Sequence, residues 1–296
     1  MKGQIGVIGS INIDLTTITK VFPTQGETVI GDKIMFNNGG KGANVAVASA
    51  RLGEKTNLFA CVGDDDFSML ALSNLKNENV NIKTIKKLNG EKCGIANIIL
   101  QNGHNRIIIV PGANEKLNYD MISENMETLK KCSIVGGQFE IPATTLYKVS
   151  EICKKNGIAF VLNLSPIKPY NKKILDNSTY IIVNEVEITQ IPGYNKNNPD
   201  EILYKNPNKL ILTKGADGVY FHDGKELCHI PAIKVKVKDT TGAGDTFFGA
   251  FMVALNNGKS LYDSISFANV CAGLKTTKIG AQTGMPKLQE VLKYIK

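Results

Sequence analysis

Residues 4–11 form a short apolar run bounded by glycines, the pattern of a parallel strand buried on both faces. Comparable runs recur at 57–62, 133–138, 158–163, 180–183 and 210–212. Helical periodicity separates several of them, at 45–52, 67–76, 120–131 and 142–156, with Gly53 as the stop of the first helix. Strands joined by helices of this length need parallel crossovers. The expected fold is therefore α/β: a doubly wound, mainly parallel sheet with helices on both faces, in a single domain over residues 1–296. The first nine residues read as its first strand rather than a leader, because their apolar core is too short and no small-residue cleavage pattern follows.

A few segments break the alternation. Residues 26–36, 93–100 and 106–110 have strand character, and Gln101-Asn102-Gly103-His104-Asn105 is a hairpin signal. No helix separates them, so they are expected to leave the main sheet and pair as a small accessory β-sheet, inserted at about 14–36 and 92–110. Such a sheet would act as a lid, and its open edges suggest a homodimer through the lid strands. Another strand, rich in Val and Lys, is expected just before Asp239. A last helix is expected at 261–277.

Composition narrows the class. The hydrophobic fraction of 43% and charged fraction of 21% are those of a soluble protein. No apolar run approaches the ~20 residues that cross a bilayer, so no membrane role is expected. The formal charge of +8 comes from dispersed lysines, without the basic, aromatic-interleaved stretch of a nucleic-acid surface. It suits attraction of phosphates instead. Six scattered cysteines, with no C-x-x-C and no histidines at metal spacing, suggest neither zinc nor disulfides and point to the cytoplasm. His104, His222 and His229 read as structural or solvent-facing.

Polar residues cluster where strands end, on the side where open α/β sheets bind ligands. Asn12 and Asp14 follow the first strand, Glu140 follows 133–138, Asn184 and Glu187 follow 180–183, and Thr213 and Gly215 follow 210–212. Each alone reads as a turn or cap; their recurrence suggests a site. Asn37-Asn38-Gly39-Gly40-Lys41-Gly42-Ala43-Asn44 opens a helix of small residues, where glycines imply close backbone approach. The spacing is not that of a P-loop, and no G-x-G-x-x-G follows the first strand. The most telling stretch is Asp239-Thr240-Thr241-Gly242-Ala243-Gly244-Asp245, at the start of a strongly apolar helix. Bare glycines at a helix N-terminus make an anion site, and a carboxylate beside it is what phosphoryl transfer to an alcohol needs.

With both glycine motifs in place, the chain resembles the PfkB carbohydrate kinases along essentially its whole length. The lysine of Gly39-Gly40-Lys41-Gly42-Ala43-Asn44 resembles the branch that phosphorylates ribose. The resemblance implies Asp245 as catalytic base and Gly242, Ala243 and Gly244 as the anion hole for the transferring phosphoryl group. It implies Asn12, Asp14, Gly40, Lys41, Asn44 and Glu140 around the sugar. Asn184, Thr213, Gly215 and Asn269 would face the nucleotide, and Glu187 a magnesium ion through water. The implied cofactors are ATP, Mg2+ and a monovalent K+ held by Asp239, Thr241 and the carbonyls of Lys275, Lys278 and Gly280. The family pattern usually has a serine where this chain has Gly284, leaving Thr283 as a substitute ligand. Another sugar or a nucleoside as acceptor, or a non-catalytic sugar-binding regulator, are the readings left open.

Overall fold

The computed structural model describes residues 3–102 and 104–295. Met1, Lys2 and Gly103, which the first-strand and hairpin readings include, lie outside the described residues. Thirteen strands run β1 (Gln4–Ile8), β2 (Asn12–Thr19), β3 (Lys33–Gly39), β4 (Thr56–Val62), β5 (Ile85–Lys87), β6 (Gly94–Gln101), β7 (His104–Val110), β8 (Cys132–Gln138), β9 (Ala159–Asn163), β10 (Tyr180–Asn184), β11 (Leu210–Thr213), β12 (Val219–His222) and β13 (Leu227–Ile230).

Nine of them form one sheet in the order β13-β12-β11-β10-β9-β8-β1-β4-β5. Its pairings are parallel except β11 with β12 and β12 with β13. All seven residues of β4 are buried, and they divide by parity between two cores: Leu58, Ala60 and Val62 on one face, Phe59 and Cys61 on the other. This is the two-residue side-chain period of a sheet covered on both sides.

The helices Lys41–Arg51, Ala243–Asn256 and Leu261–Lys275 cover the first face. Phe248 and Phe251 of the second of these are fully buried, each contributing about 2–3 kcal/mol by removal from water. Small residues let it meet the Lys41–Arg51 helix closely: a Cβ on Gly249 would lie 2.9 Å from both Ala48 Cβ and the Val45 carbonyl. Helix Ala143–Lys155 packs into the opposite core.

The accessory sheet is a separate four-stranded unit in the order β3-β2-β6-β7. β2 and β6 pair in parallel and the other two pairs are antiparallel. Every residue of edge strand β7 is exposed, including Ile107, Ile108, Ile109 and Val110.

Several local expectations need correction. The strand placed at 26–36 is β3, Lys33–Gly39: its register with β2 begins at the Ile18–Lys33 pair, and Ile30 is exposed to solvent. Residues 233–238 form no strand; the amides of Lys238 and Asp239 donate to the Thr276 carbonyl instead. The helix expected at 120–131 is two, Tyr119–Ser123 and Met126–Lys130, interrupted at Glu124 and Asn125. The last long helix stops at Lys275, and Ala281–Gly284 adds a helical turn.

Candidate active site

The parallel strands β1, β8, β9, β10 and β11 all end on one edge of the main sheet, which brings their polar exits together. Gly40 caps the Lys41–Arg51 helix with φ 87°. A Cβ on Gly42 would come within 2.6 Å of the backbone of Gly9 and Ser10, so only glycine allows this helix start to press against the β1 exit. The Ala43 amide donates to the Ser10 carbonyl at 2.9 Å. Glu140, just past β8, accepts from Ser10 Oγ at 2.5 Å and from the Lys41 amide at 3.0 Å. Its carboxylate thus complements the positive end of the helix.

Asp245 lies in the first turn of the Ala243–Asn256 helix and is 8% exposed. Its Oδ2 accepts from Asn44 Nδ2 at 2.8 Å, and its Oδ1 lies 3.9 Å from Lys41 Nζ. The two glycine motifs therefore meet through their side chains. Asn44 Oδ1 in turn accepts from Gln282 Nε2 at 3.0 Å, and Gln282 Oε1 accepts from Asn74 Nδ2 at 2.7 Å. Burial works against the Lys41 ammonium, but Asp245, Glu140 and Glu187 more than offset it and raise its pKa. The reverse holds for Asp14, whose pKa is pushed up to about 7 by burial and by the nearby charges of Glu140 and Asp245. A Cβ on Gly39 would overlap the Asp14 carboxylate. Asn12, buried at the start of β2, accepts from Asn114 Nδ2 at 2.8 Å.

The Asp239-to-Asp245 motif runs into the Ala243–Asn256 helix. Gly242 caps the helix in the left-handed region, φ 76°. The Ala243 amide is taken by the Thr240 carbonyl. At Gly244 a Cβ would meet nothing within 4 Å, so no packing inside the protein demands glycine there. What the missing side chain provides is open access to the helix N-terminus.

Asn184 and Thr213 are register partners at the ends of β10 and β11. Asn184 Oδ1 accepts from the amides of Val186 and Glu187, while Glu187 Oε2 accepts from the Asn184 amide at 3.0 Å and from Asn163 Nδ2 at 3.4 Å. Gly215, φ 49°, opens the turn after β11. Asn269 is not joined to this group: its Nδ2 donates to the Pro231 carbonyl at 2.8 Å.

Around Asp239 the structure departs from expectation. Oδ1 accepts from the Thr241 amide at 2.9 Å and hydroxyl at 2.7 Å, and Oδ2 from the Gly280 amide at 2.7 Å. Burial alone would raise its pKa, but these donors from Thr241 and Gly280, with the Lys275 charge, bring it below the ordinary carboxylate value. Lys275 contributes its ammonium and not only a carbonyl: Nζ donates to the Asp239 carbonyl at 2.7 Å. The Lys278 ammonium, unlike that of Lys275, pairs elsewhere, with Glu290 at 2.6 Å. These residues do not fit an added potassium ion. A second cation about 4 Å from a buried ammonium meets about 4 kcal/mol of repulsion at an effective dielectric of 20.

The model of the pfkB family carbohydrate kinases matches residues 2–288. The chain belongs to the PfkB family. It is 42% identical to a ribokinase of Lactococcus lactis, over 99% of this chain and 97% of that one. It is 38% identical to a ribokinase of Bacillus subtilis, covering 97% and 98%. Its fold matches Arabidopsis thaliana ribokinase complexed with ribose and ATP at TM-score 0.92, with 30% identity over 100% of this chain and 99% of that one.

As a PfkB kinase, the chain carries further polar residues that sequence reasoning passed over. Ser10, Asn114, Asn163 and Gln282 hold residues of the two motifs or of the strand ends, and Asn74 holds Gln282. Gln282 had one signal, its place in the Gly280-to-Gly284 loop, where the expected ligands were backbone carbonyls and the Thr283 hydroxyl. The others contact partners so far away in sequence that no local pattern announces them.

Proposed function

We propose that this kinase transfers the γ-phosphoryl group of ATP to the 5-hydroxyl of D-ribose, giving ribose 5-phosphate and ADP. The observation that carries the reading is Asp245 at the foot of an open glycine helix start, held by Lys41 and Asn44 of the other motif. Full-length similarity to ribokinases supports ribose as the acceptor.

In this reading Asp245 takes the proton of the attacking hydroxyl, and Asn44 fixes the carboxylate's orientation. The helix start at Gly242, Ala243 and Gly244 receives the charge of the transferring phosphoryl group through the Gly242 and Gly244 amides, the Ala243 amide being held by Thr240; the arrangement acts by positioning and electrostatics more than by basicity. Asn12, Asp14, Gly40, Lys41 and Glu140 present amide, carboxylate and ammonium groups to the sugar hydroxyls. Asn184, Thr213, Gly215 and Asn269 border the nucleotide. Magnesium, when bound with ATP, neutralises phosphate charge. Glu187 is a single carboxylate with one oxygen already hydrogen-bonded, which suits holding that ion through water rather than in a cage.

The accessory strands act as a lid that keeps water, a competing acceptor, from the phosphoryl group. The exposed apolar row Ile107 to Val110 on an edge strand fits a second copy of this chain, and a homodimer is the proposed assembly. Sedimentation that finds only monomer would remove it. Among the described residues no helix is long and apolar enough to cross a membrane, and the proposed location is the cytoplasm.

ADP release on a panel of ribose, deoxyribose, fructose and adenosine tests the acceptor. The expected order of kcat/KM puts ribose first. Preference for the nucleoside would overturn ribose, and no turnover on any acceptor would overturn the kinase reading.

A further inference from the structure

Lys275 ends the Leu261–Lys275 helix and is 0% exposed. Lysine is almost never fully buried unless its charge is matched. Asp239 offsets part of that burial: Nζ donates to its carbonyl at 2.7 Å and lies 3.7 Å from Oδ2, while burial still holds the ammonium's pKa below its ordinary value. The ammonium therefore takes two Asp239 oxygens toward which a free monovalent cation would be drawn, and its stem passes position 284, near the carbonyl oxygens of Lys275 and Lys278. Its stem packs closely on Gly284. A Cβ at 284 would lie 3.0 Å from Lys275 Cε, closer than side chains ordinarily pack, and 3.3 Å from the carbonyl oxygens of Lys275 and Lys278. Lysine at 275 and glycine at 284 are thus one feature: a serine at 284 would push its side chain against the lysine stem.

We infer that the Lys275 ammonium is a built-in monovalent cation that takes the place of an exchangeable potassium ion, so that the phosphoryl transfer proposed above runs without potassium. The inference rests on that kinase reading for its effect on rate, but not for the site itself. One fixed charge holds the Asp239 carbonyl, Asp239 binds Thr241 and Gly280, and the Thr240 carbonyl holds the Ala243 amide. The chain of contacts ends at the start of the anion-binding helix. A cation tethered to the backbone cannot dissociate, and its field supports the amides of Gly242 to Gly244 whatever the salt. Its charge also repels any second cation from the same oxygens.

The test compares the full chain in potassium chloride and in tetramethylammonium chloride at equal ionic strength, following both ADP release and the melting temperature. Wild-type rates should agree within about twofold, and the wild-type melting temperature should be the same in both salts. In Lys275→Ala, and in Lys275→Ala combined with Gly284→Ser, turnover without potassium should fall about tenfold or more and potassium should restore it. Both variants should also melt higher in potassium, as a protein does when its native state gains a ligand. A wild type activated about tenfold by potassium overturns the inference and leaves the kinase reading standing. Variants that keep full activity without potassium overturn it too, since the ammonium would then supply nothing. Melting needs no turnover, so a wild-type melting temperature raised by potassium refutes the built-in cation even if the kinase reading fails, and wild-type melting decides the matter should the variants not fold.

Discussion

Asp14→Asn should stabilise the ligand-free protein at high pH while weakening its hold on the sugar. A carboxyl whose pKa is displaced from 3.8 to about 7 by burial and by its acidic neighbours corresponds to about 4 kcal/mol. The folded form holds its proton to a higher pH than the unfolded form. Below pH 3.8 both are protonated and nothing is lost. As pH rises toward 7 stability falls, and above that the full penalty applies. For 296 residues the unfolding entropy is roughly 0.6 kcal/mol/K, so 4 kcal/mol is about 6 °C, or about 3 °C if solvent relaxation halves the effect. Scanning calorimetry of both proteins at pH 8 and pH 5 measures it. Asp14→Asn should melt about 3–6 °C higher at pH 8, with the gap under half of that at pH 5, and its KM for ribose should rise. A gap that does not change with pH, or a variant less stable at pH 8, would show that Asp14 is not held under charge strain.

Three further outcomes follow from contacts described above. Asp245→Asn should lower kcat by about 10²–10⁴ while equilibrium ribose binding changes little, and substantial residual turnover would remove Asp245 from the base role. Gly42→Ala places a methyl within 2.6 Å of the Gly9 backbone and should cost about 1–3 kcal/mol of stability, read as a lower melting temperature; unchanged melting would mean the β1 exit yields easily. Gln282→Leu strips partners from Asn44 and Asn74 and should cost about 1–3 kcal/mol while lowering kcat through a misplaced Asp245. Wild-type kcat in that variant would show that Asn44 holds the carboxylate unaided.

The legible parts of the fold were those buried on both faces. β4 is apolar at most positions because both cores claim it, so its run announces itself. The antiparallel pair β12 and β13 is only four residues per strand, with a histidine in each, and its joining to the main sheet had no periodic signal. Residues 233–238 misled in the opposite way. Val235 and Val237 alternate with lysines as in a strand, yet Val237 is exposed and no strand pairs there, because alternation records side-chain faces and not hydrogen-bond partners. The two glycine motifs were readable since backbone close approach admits only glycine. The direction of Lys275 was not, because a lysine's composition says nothing of whether its carbonyl or its ammonium meets Asp239. Gly284 held half of that information, as the missing serine, and only the packing of the two residues explains it.

The hydrogen bond between Asn44 and Asp245 joins positions 201 residues apart. During synthesis, the strands of both sheets and every strand-end residue leave the ribosome before the helix that carries Asp245. With the residue roles proposed above, an emerging chain can therefore hold most of the sugar pocket before the base is made. Closing so long a loop is among the slower steps open to a folding chain, and contacts of this span form late. With Asp245 as the proposed base, phosphoryl transfer becomes a signal of completion: an N-terminal fragment that lacks it should not turn over, and the first turnover should mark a chain whose last fifth or so, from about residue 243, has docked.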